Sequence, residues 1–261
     1  MNIIFENDDF LVVDKPSGQV VNRSETTAGE TLQDKLSKYF KLAPGDLGIG
    51  GRAGIVHRLD RETSGLLVIA KTQKVFELLQ EEFKSRIVTK EYVALVHGFF
   101  GEKSGTIKSR IARIGKFGKF GILKDREVGG REAETEYKTI SNFKLQISNF
   151  EKIIVAQGYN RSRVRYLDQH ALDYTLLRVF PKTGRTHQIR VHFKSIGHPV
   201  VSDLIYTPSK LIKFDLLWCG RLFLHSRRLC FFGPKPKKTF DFKSDLPNDL
   251  KHAMLSLTTS H

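Results

Sequence analysis

One carboxylate, Asp60, stands between two guanidinium side chains, Arg58 and Arg61, within residues 55–71, IVHRLDRETSGLLVIAK. Flanking cations favour the ionised form of an acid. An ionised carboxylate can serve as a nucleophile or a base, or it can cap a turn and pair with a neighbouring arginine. The residues alone leave both roles open. His57, His187 and His192 are the other side chains that invite a chemical reading. Their arrangement does not make a metal centre, because His187 and His192 are five apart rather than the i, i+4 of a zinc helix.

The segments around Asp60 say how it is positioned. Residues 66–70, LLVIA, form a short unbroken apolar run of the kind that reads as a strand buried on both faces, with Gly65 at its start. Residues 57–65 are then a polar turn delivered into place by buried strands. Upstream, residues 45–54 hold five glycines in ten positions. They lack the Gly-Lys-Ser/Thr ending of a phosphate-binding loop and read as a mobile lead-in to the turn, with Arg52 directed at a nucleic acid. Downstream, Thr72 is placed to cap a helix through Arg86, with Val75, Phe76, Leu79 and Phe83 on its buried face.

The rest of the chain supplies further strands. Residues 3–5 and 10–14 read as two strands around the turn Glu6-Asn7-Asp8-Asp9, and residues 31–40 as a helix with Leu32, Leu36, Tyr39 and Phe40 on one face. Strand patterns follow at 91–96, 106–114, 132–139, 174–180 and 223–232, a short helix at 186–196 and a capping helix at 247–257. Residues 115–130 mix glycine and lysine with Phe117 and Phe120, which suits an RNA-contacting hairpin or a solvated loop. The ISNF of 140–143 recurs at 147–150, and two copies make no solenoid. Residues 144–170, with Arg161, Arg163 and Arg165, read as an insertion, an elongated hairpin or a loop without fixed structure. No stretch reads as a linker, so 1–261 is expected to be one domain, with 233–261 as a C-terminal extension.

Composition narrows the partner. Lys and Arg number 43 against 28 Asp and Glu, a net charge of +15, which suits a polyanion whose phosphates supply sequence-independent affinity. No stretch approaches the roughly 20 apolar residues of a membrane-spanning helix, and the first residues lack the basic region of a secretory signal. Cys219 and Cys230 give neither a disulfide framework nor a zinc spacing. The expected setting is the cytoplasm.

Four blocks carry a resemblance to a known family. The run HRLDRETSGLLVIAK at 57–71 resembles the catalytic motif of RluA-type RNA pseudouridine synthases, and FLVVDKPSG at 10–18, KEYVALVHG at 90–98 and TGRTHQIRVH at 183–192 match the same family in the same order. The resemblance spans residues 4–232. It implies an α+β fold, a bent, mixed and mostly antiparallel sheet with short flanking helices and loops around a basic cleft. The family's common S4-type domain is expected to be absent. The implied activity is isomerisation of uridine to pseudouridine in ribosomal or transfer RNA by a monomer that uses base flipping.

By resemblance, Asp60 is the catalytic carboxylate, Arg190 its basic partner and Tyr92 the active-site tyrosine against the flipped uracil. Arg58 matches the arginine that fills the space a flipped base leaves, and Leu224 matches an apolar residue of the uracil pocket. His57 and Arg185 are grouped with the substrate-binding residues, Arg185 on a phosphate or in support of its turn. Ser202 stands where the family has glycine, so a different backbone is expected there. No cofactor and no metal are expected, since the isomerisation oxidises nothing. Two other classes compete: an RNA-binding or ribosome-assembly protein that lost the reaction, opposed by the presence together of Asp60, Tyr92 and Arg190, and a base deaminase, opposed by the lack of Cys-x-x-Cys with His-x-Glu.

Overall fold

The computed structural model describes residues 1–25, 27–114, 119–124, 128–145, 154, 158–234 and 238–260. Phe117 with residues 115–118, residues 125–127, the second ISNF at 147–150 and the basic residues 235–237 lie outside the described residues.

In chain order the elements begin with β1 (Asn2–Glu6), β2 (Phe10–Lys15), α1 (Leu32–Tyr39), β3 (Ser64–Ala70), α2 (Gln73–Lys84) and β4 (Thr89–His97). Next come β5 (Ser104–Arg113), β6 (Phe120–Ile122), β7 (Arg131–Leu145), α3 (Arg161–His170), β8 (Asp173–Pro181) and α4 (Gln188–Ser195). The chain continues through α5 (Ser209–Asp215), β9 (Leu224–Phe232), β10 (Thr239–Lys243), α6 (Asn248–Met254) and β11 (Leu257–Ser260). These elements form two compact units, each built from separated segments. The first is Met1–Tyr92 with His225–Asp245, and the second is Val93–Leu224 with Leu246–His261.

In the first unit the strand order is β1-β2-β3-β9, with β10 on β9. Asn7 turns the chain between β1 and β2, its Oδ1 accepting the backbone N–H of Asp9 at 2.9 Å and of Phe10 at 2.8 Å. Strands β2 and β3 run antiparallel from Phe10 opposite Ala70 to Lys15 opposite Gly65, and β3 lies parallel to the start of β9, Ser64 opposite His225 and Gly65 opposite Ser226. Every residue of β3 is buried, as its continuous apolar run predicts for a strand covered on both faces. Thr72 caps α2 as expected, accepting from Val75 N–H at 3.3 Å, and α2 sets Val75, Phe76 and Leu79 into a core with Phe10, Leu66, Val68 and Phe231.

In the second unit β8-β7-β5-β6 form the sheet path and β11 pairs with β7. Helices α3, α5 and α6 contribute Leu167, Leu211, Phe214 and Leu250 to a core with Tyr174, Val201 and Phe223. On the other side, α4 places Val191 against Ile111 and Ala133. Of the pairings described, only β3 with β9 is parallel. The architecture is the expected α+β class with a mixed, mostly antiparallel sheet.

The structure corrects several local expectations. Tyr39 does not join the buried face of α1. It is exposed, and its hydroxyl donates to Glu6 Oε2 at 2.6 Å. Residues 144–170 are not only a hairpin or loop: β7 runs on to Leu145, where Leu257 of β11 pairs, and α3 occupies 161–170, capped by Asn160 and anchored by the buried Leu167. In β4 every residue from Glu91 to His97 is buried, so its burial does not alternate. Ser202 keeps the left-handed backbone a glycine would adopt, with φ +58°. Its N–H donates to Asp215 Oδ2 at 3.0 Å and its hydroxyl to Cys219 O, bonds that offset the strain.

Candidate active site

The turn around Asp60 is fastened at both ends by glycines that no other residue could replace without movement. Gly54 (φ +79°) brings its backbone against Ala70, where a Cβ would lie 2.0 Å from the carbonyl oxygen, and Gly65 (φ +116°) packs as closely on Ser226 O. Between them Leu59 and Thr63 are buried, Asp60 is half-buried and Arg58 is exposed. The Asp60 carbonyl accepts from Thr63 N–H at 3.2 Å, which tightens the turn.

A second segment grips this turn from the side. Lys15, at 1% exposure, ends the apolar strand β2 and buries its whole side chain. Its ammonium donates to the carbonyls of Pro16 (2.8 Å), Gln19 (2.9 Å) and Arg61 (3.0 Å). Ser17 Oγ donates to Glu62 O at 2.7 Å, Gly18 N to Arg61 O at 2.8 Å, and Arg61 Nε back to Gly18 O at 3.2 Å. A buried ammonium is tolerated only when hydrogen-bonded, so Lys15 holds the backbone on the far side of Asp60 in one shape.

His57 stands before Asp60 as an uncharged support. Its Nε2 accepts the Val68 N–H at 3.2 Å, and its ring stacks on Phe83 with centroids 4.4 Å apart. Burial, and secondarily the Lys90 ammonium, lower its pKa to about 3. The lone pair that receives Val68 is therefore kept. Lys90 is itself brought down to about 8 by burial and by Arg86.

Tyr92 belongs to the same unit as Asp60. Its hydroxyl bonds to Ser226, and burial holds the phenol far above its ordinary value. The Ser226 bond opposes that shift and the nearby Asp60 charge adds to it. Tyr92 thus keeps its proton within reach of the Asp60 charge. Strand β9 is locked where it carries Ser226: Ser64 Oγ and His225 Nδ1 lie 3.0 Å apart, and His225 Nε2 meets Ser244 O at 3.3 Å. A carbonyl only accepts, so in the neutral ring Nε2 carries the proton and Nδ1 accepts from Ser64.

Arg190, Arg185 and Leu224 belong to the second unit. Arg190 on α4 is fully buried, with Nε donating to Asp203 Oδ2 at 2.7 Å and Nη2 to Asp203 Oδ1 at 2.8 Å. Asp203 Oδ1 also accepts from Ile205 N–H and Tyr206 N–H, and the guanidinium lies 5.3 Å from the Tyr206 ring centre. Helix α4 opens with His187 in a left-handed conformation (φ +55°), its Nδ1 2.9 Å from the Tyr206 hydroxyl. His192 is buried between Thr135 Oγ1 (2.8 Å) and Ser109 Oγ (3.0 Å), and burial lowers its pKa to about 4. Arg185 donates from Nε to Glu132 O at 3.0 Å. Leu224 is buried at the start of β9.

Within the first unit the structure brings Asp60, Tyr92 and His57 onto connected elements. Lys15 and Ser226 in the first unit, and Asp203 and Tyr206 in the second, were not named as site residues from sequence. Lys15 and Asp203 had one visible signal, a charge next to an apolar run: FLVVDK for the first, where Asp14 stands beside it, and VV and LI around the second. Among the described residues no group of three or more His, Cys, Asp or Glu is placed to hold a metal.

The sequence profile of the RNA pseudouridylate synthase family matches residues 9–195. An uncharacterized RNA pseudouridine synthase of Aquifex aeolicus is 36% identical over 261 residues, covering 96% of this chain and 71% of its own length. One from Bacillus subtilis is 33% identical over 262 residues (98% and 73%). The ribosomal large subunit pseudouridine synthase D of Zymomonas mobilis is 33% identical over 257 residues (96% and 71%). Among solved structures, human RNA pseudouridylate synthase domain containing 1 superposes with a TM-score of 0.69 at 25% identity, covering 99% of this chain and 88% of that one. The chain belongs to the RNA pseudouridine synthases. It is an enzyme, an isomerase of uridine in RNA.

Proposed function

We propose that this enzyme converts a uridine of ribosomal RNA to pseudouridine with Asp60 as the catalytic carboxylate, acting in the cytoplasm as a monomer without a cofactor. The observation that carries the reading is the pairing of two groups in one unit: a half-buried Asp60 in a turn locked at both ends, and a protonated Tyr92 close enough to feel its charge. The relatives named for the ribosomal large subunit support the choice of RNA.

The reaction breaks the N1–C1′ bond of uridine, rotates the uracil and joins C5 to C1′. C5 then loses a proton and N1 gains one, so nothing leaves and nothing is oxidised. Asp60 attacks C1′ or takes a proton from the sugar, as carboxylates do in anomeric chemistry. The target must first leave its stack. Arg58, long and exposed in front of Asp60, enters the vacated space. Tyr92 lies against the base and, being protonated, donates a hydrogen bond to it as it turns.

Asp60→Asn tests this. It keeps size and most hydrogen bonding but removes the nucleophile, so pseudouridine formation with enzyme in excess should fall below detection. RNA affinity should stay within about tenfold, roughly 1.4 kcal/mol. Turnover by a folded Asp60→Asn protein would overturn the assignment. Carbodiimide primer extension on ribosomal RNA from cells with and without the enzyme identifies the uridine.

A further inference from the structure

The second unit contains a cleft of about 380 Å³ between the β5–β6 hairpin and the turn that precedes α4, and its walls are basic and aromatic. Arg113, Arg131 and Arg185 line it together with Phe120. The strand register explains why two of the three guanidinium groups gather there. Ile111 lies opposite Arg131 on β7, and Arg113 lies opposite Phe120 on β6. Side chains two apart on a strand share a face, so Arg113, Arg131 and Phe120 all stand on the face that Ile111 turns toward α4. Glu132, the neighbour of Arg131, falls on the opposite face by the same alternation. No residue lining the cleft among those described is acidic.

The opposite wall is held rigidly. Gln188 Oε1 accepts from Thr183 Oγ1 at 2.6 Å and from Arg185 N–H at 3.0 Å, and its Nε2 donates to Thr135 Oγ1 and Glu134 O, both at 2.9 Å. Arg185 Nε is anchored on Glu132 O, so its guanidinium is set in place before any ligand arrives. The hairpin is tied to the same wall, because Phe120 N–H donates to the Tyr206 hydroxyl at 3.1 Å and that hydroxyl also meets His187.

We propose that this cleft is a binding site for a backbone phosphodiester of the substrate RNA, gripped by Arg113, Arg131 and Arg185 while the ring of Phe120 packs on the adjoining ribose or base. Planar guanidinium forks match phosphate oxygens in pairs, and an aromatic ring within a basic groove is how single-stranded nucleic acid is held without regard to sequence. The inference rests on the RNA-modifying reading above and adds the surface that holds the backbone. Its contribution is to affinity and register rather than to choice of base.

The test compares two double variants that lose the same charge. Arg113→Gln/Arg131→Gln alters the cleft at two exposed positions, and Lys74→Gln/Lys84→Gln alters the exposed face of α2. Both are checked by circular dichroism. Binding of labelled ribosomal RNA fragments is followed against salt, and pseudouridine is counted in the same fragments. Each phosphate contact adds about 0.7–0.9 to the slope of log affinity against log salt. The cleft variant should lose about 0.7–0.9 of that slope, one phosphate contact, while the α2 variant keeps it. An equal loss in both variants, or an unchanged slope in the cleft variant, would overturn the site. If wild-type protein makes pseudouridine in that experiment, the RNA-modifying reading survives the failure. If it makes none while the cleft variant alone loses slope, the site stands as an RNA site and the choice of ribosomal RNA as substrate falls.

Discussion

Lys15 and Arg190 are both large cations at 1% exposure, and the two units keep them buried by different means. Around Lys15 the partners include three backbone carbonyls, all from the segments that frame the Asp60 turn. Around Arg190 they include both oxygens of a buried carboxylate, Asp203. Carbonyl dipoles fasten a loop without adding negative charge. Those carbonyls are backbone groups of the turn and its neighbour, so this carbonyl cage fixes the path of the chain directly. The guanidinium on α4 is held through side chains instead, its fork matched by a bidentate carboxylate that also takes two backbone N–H groups.

The sharpest way to break this comparison is to remove one side of the charged pair. Asp203→Ala leaves a buried guanidinium without its carboxylate and frees the N–H groups of Ile205 and Tyr206. Such a loss costs about 3–5 kcal/mol, read as a fall in the urea midpoint. Lys15→Met should cost less, about 1–3 kcal/mol, because it strands carbonyls but also removes the need to bury an ammonium. Its effect should appear mainly in turnover, with RNA affinity held, since the shape of the Asp60 turn is what Lys15 governs. A Lys15→Met protein less stable than Asp203→Ala would show that the carbonyl cage is the stronger anchor.

The smallest expected effect concerns pH and sets one imidazole in each unit side by side. His57 is lowered to about 3 and His192 to about 4 by burial, with Lys90 adding to the first. Both lie below the unfolded value near 6.5. The unfolded chain therefore binds protons that the folded chain refuses, and stability rises with pH across that window. It is complete above about 6.5 and is lost as pH falls toward 4 and then 3. His57→Gln keeps an acceptor for Val68 N–H and does not titrate. The difference in urea midpoint between about pH 7.5 and about pH 5 should shrink in this variant. An unchanged difference would assign the acid sensitivity to His192 and the second unit.

These anchors also mark where the sequence stops being legible. Strand β3 could be read because five consecutive apolar residues have no stable place but a buried one, and α2 because Thr72 and the spacing of Val75, Phe76 and Leu79 agree. Asp60 stood out through its motif. Lys15 and Asp203 did not, since burying a charge depends on partners distant in sequence: Arg61 lies 46 residues from Lys15. Helix α3 was missed because its sequence, RSRVRYLDQH, mixes three arginines, an aspartate and a histidine with few apolar residues, and it is fixed by the buried Leu167 with Val164 and Tyr166 packed beside it. Tyr39 fitted the helical period but was drawn outward by a hydrogen bond to Glu6, which no periodicity encodes.

The interrupted layout of the first unit bears on its birth. Its last strand pairs are supplied by His225–Asp245, after an excursion of 132 residues through the second unit. At roughly 5–20 residues per second, a ribosome needs on the order of ten seconds to cross that stretch. Throughout that time β3 has been made but the parallel partner that carries Ser226, and with it the closing contact of Gly65, has not. Tyr92 likewise waits for the serine it bonds. A nascent chain therefore carries Asp60 long before it carries Ser226 and the rest of the first unit, and on the function proposed above its RNA isomerisation waits until synthesis has passed β9.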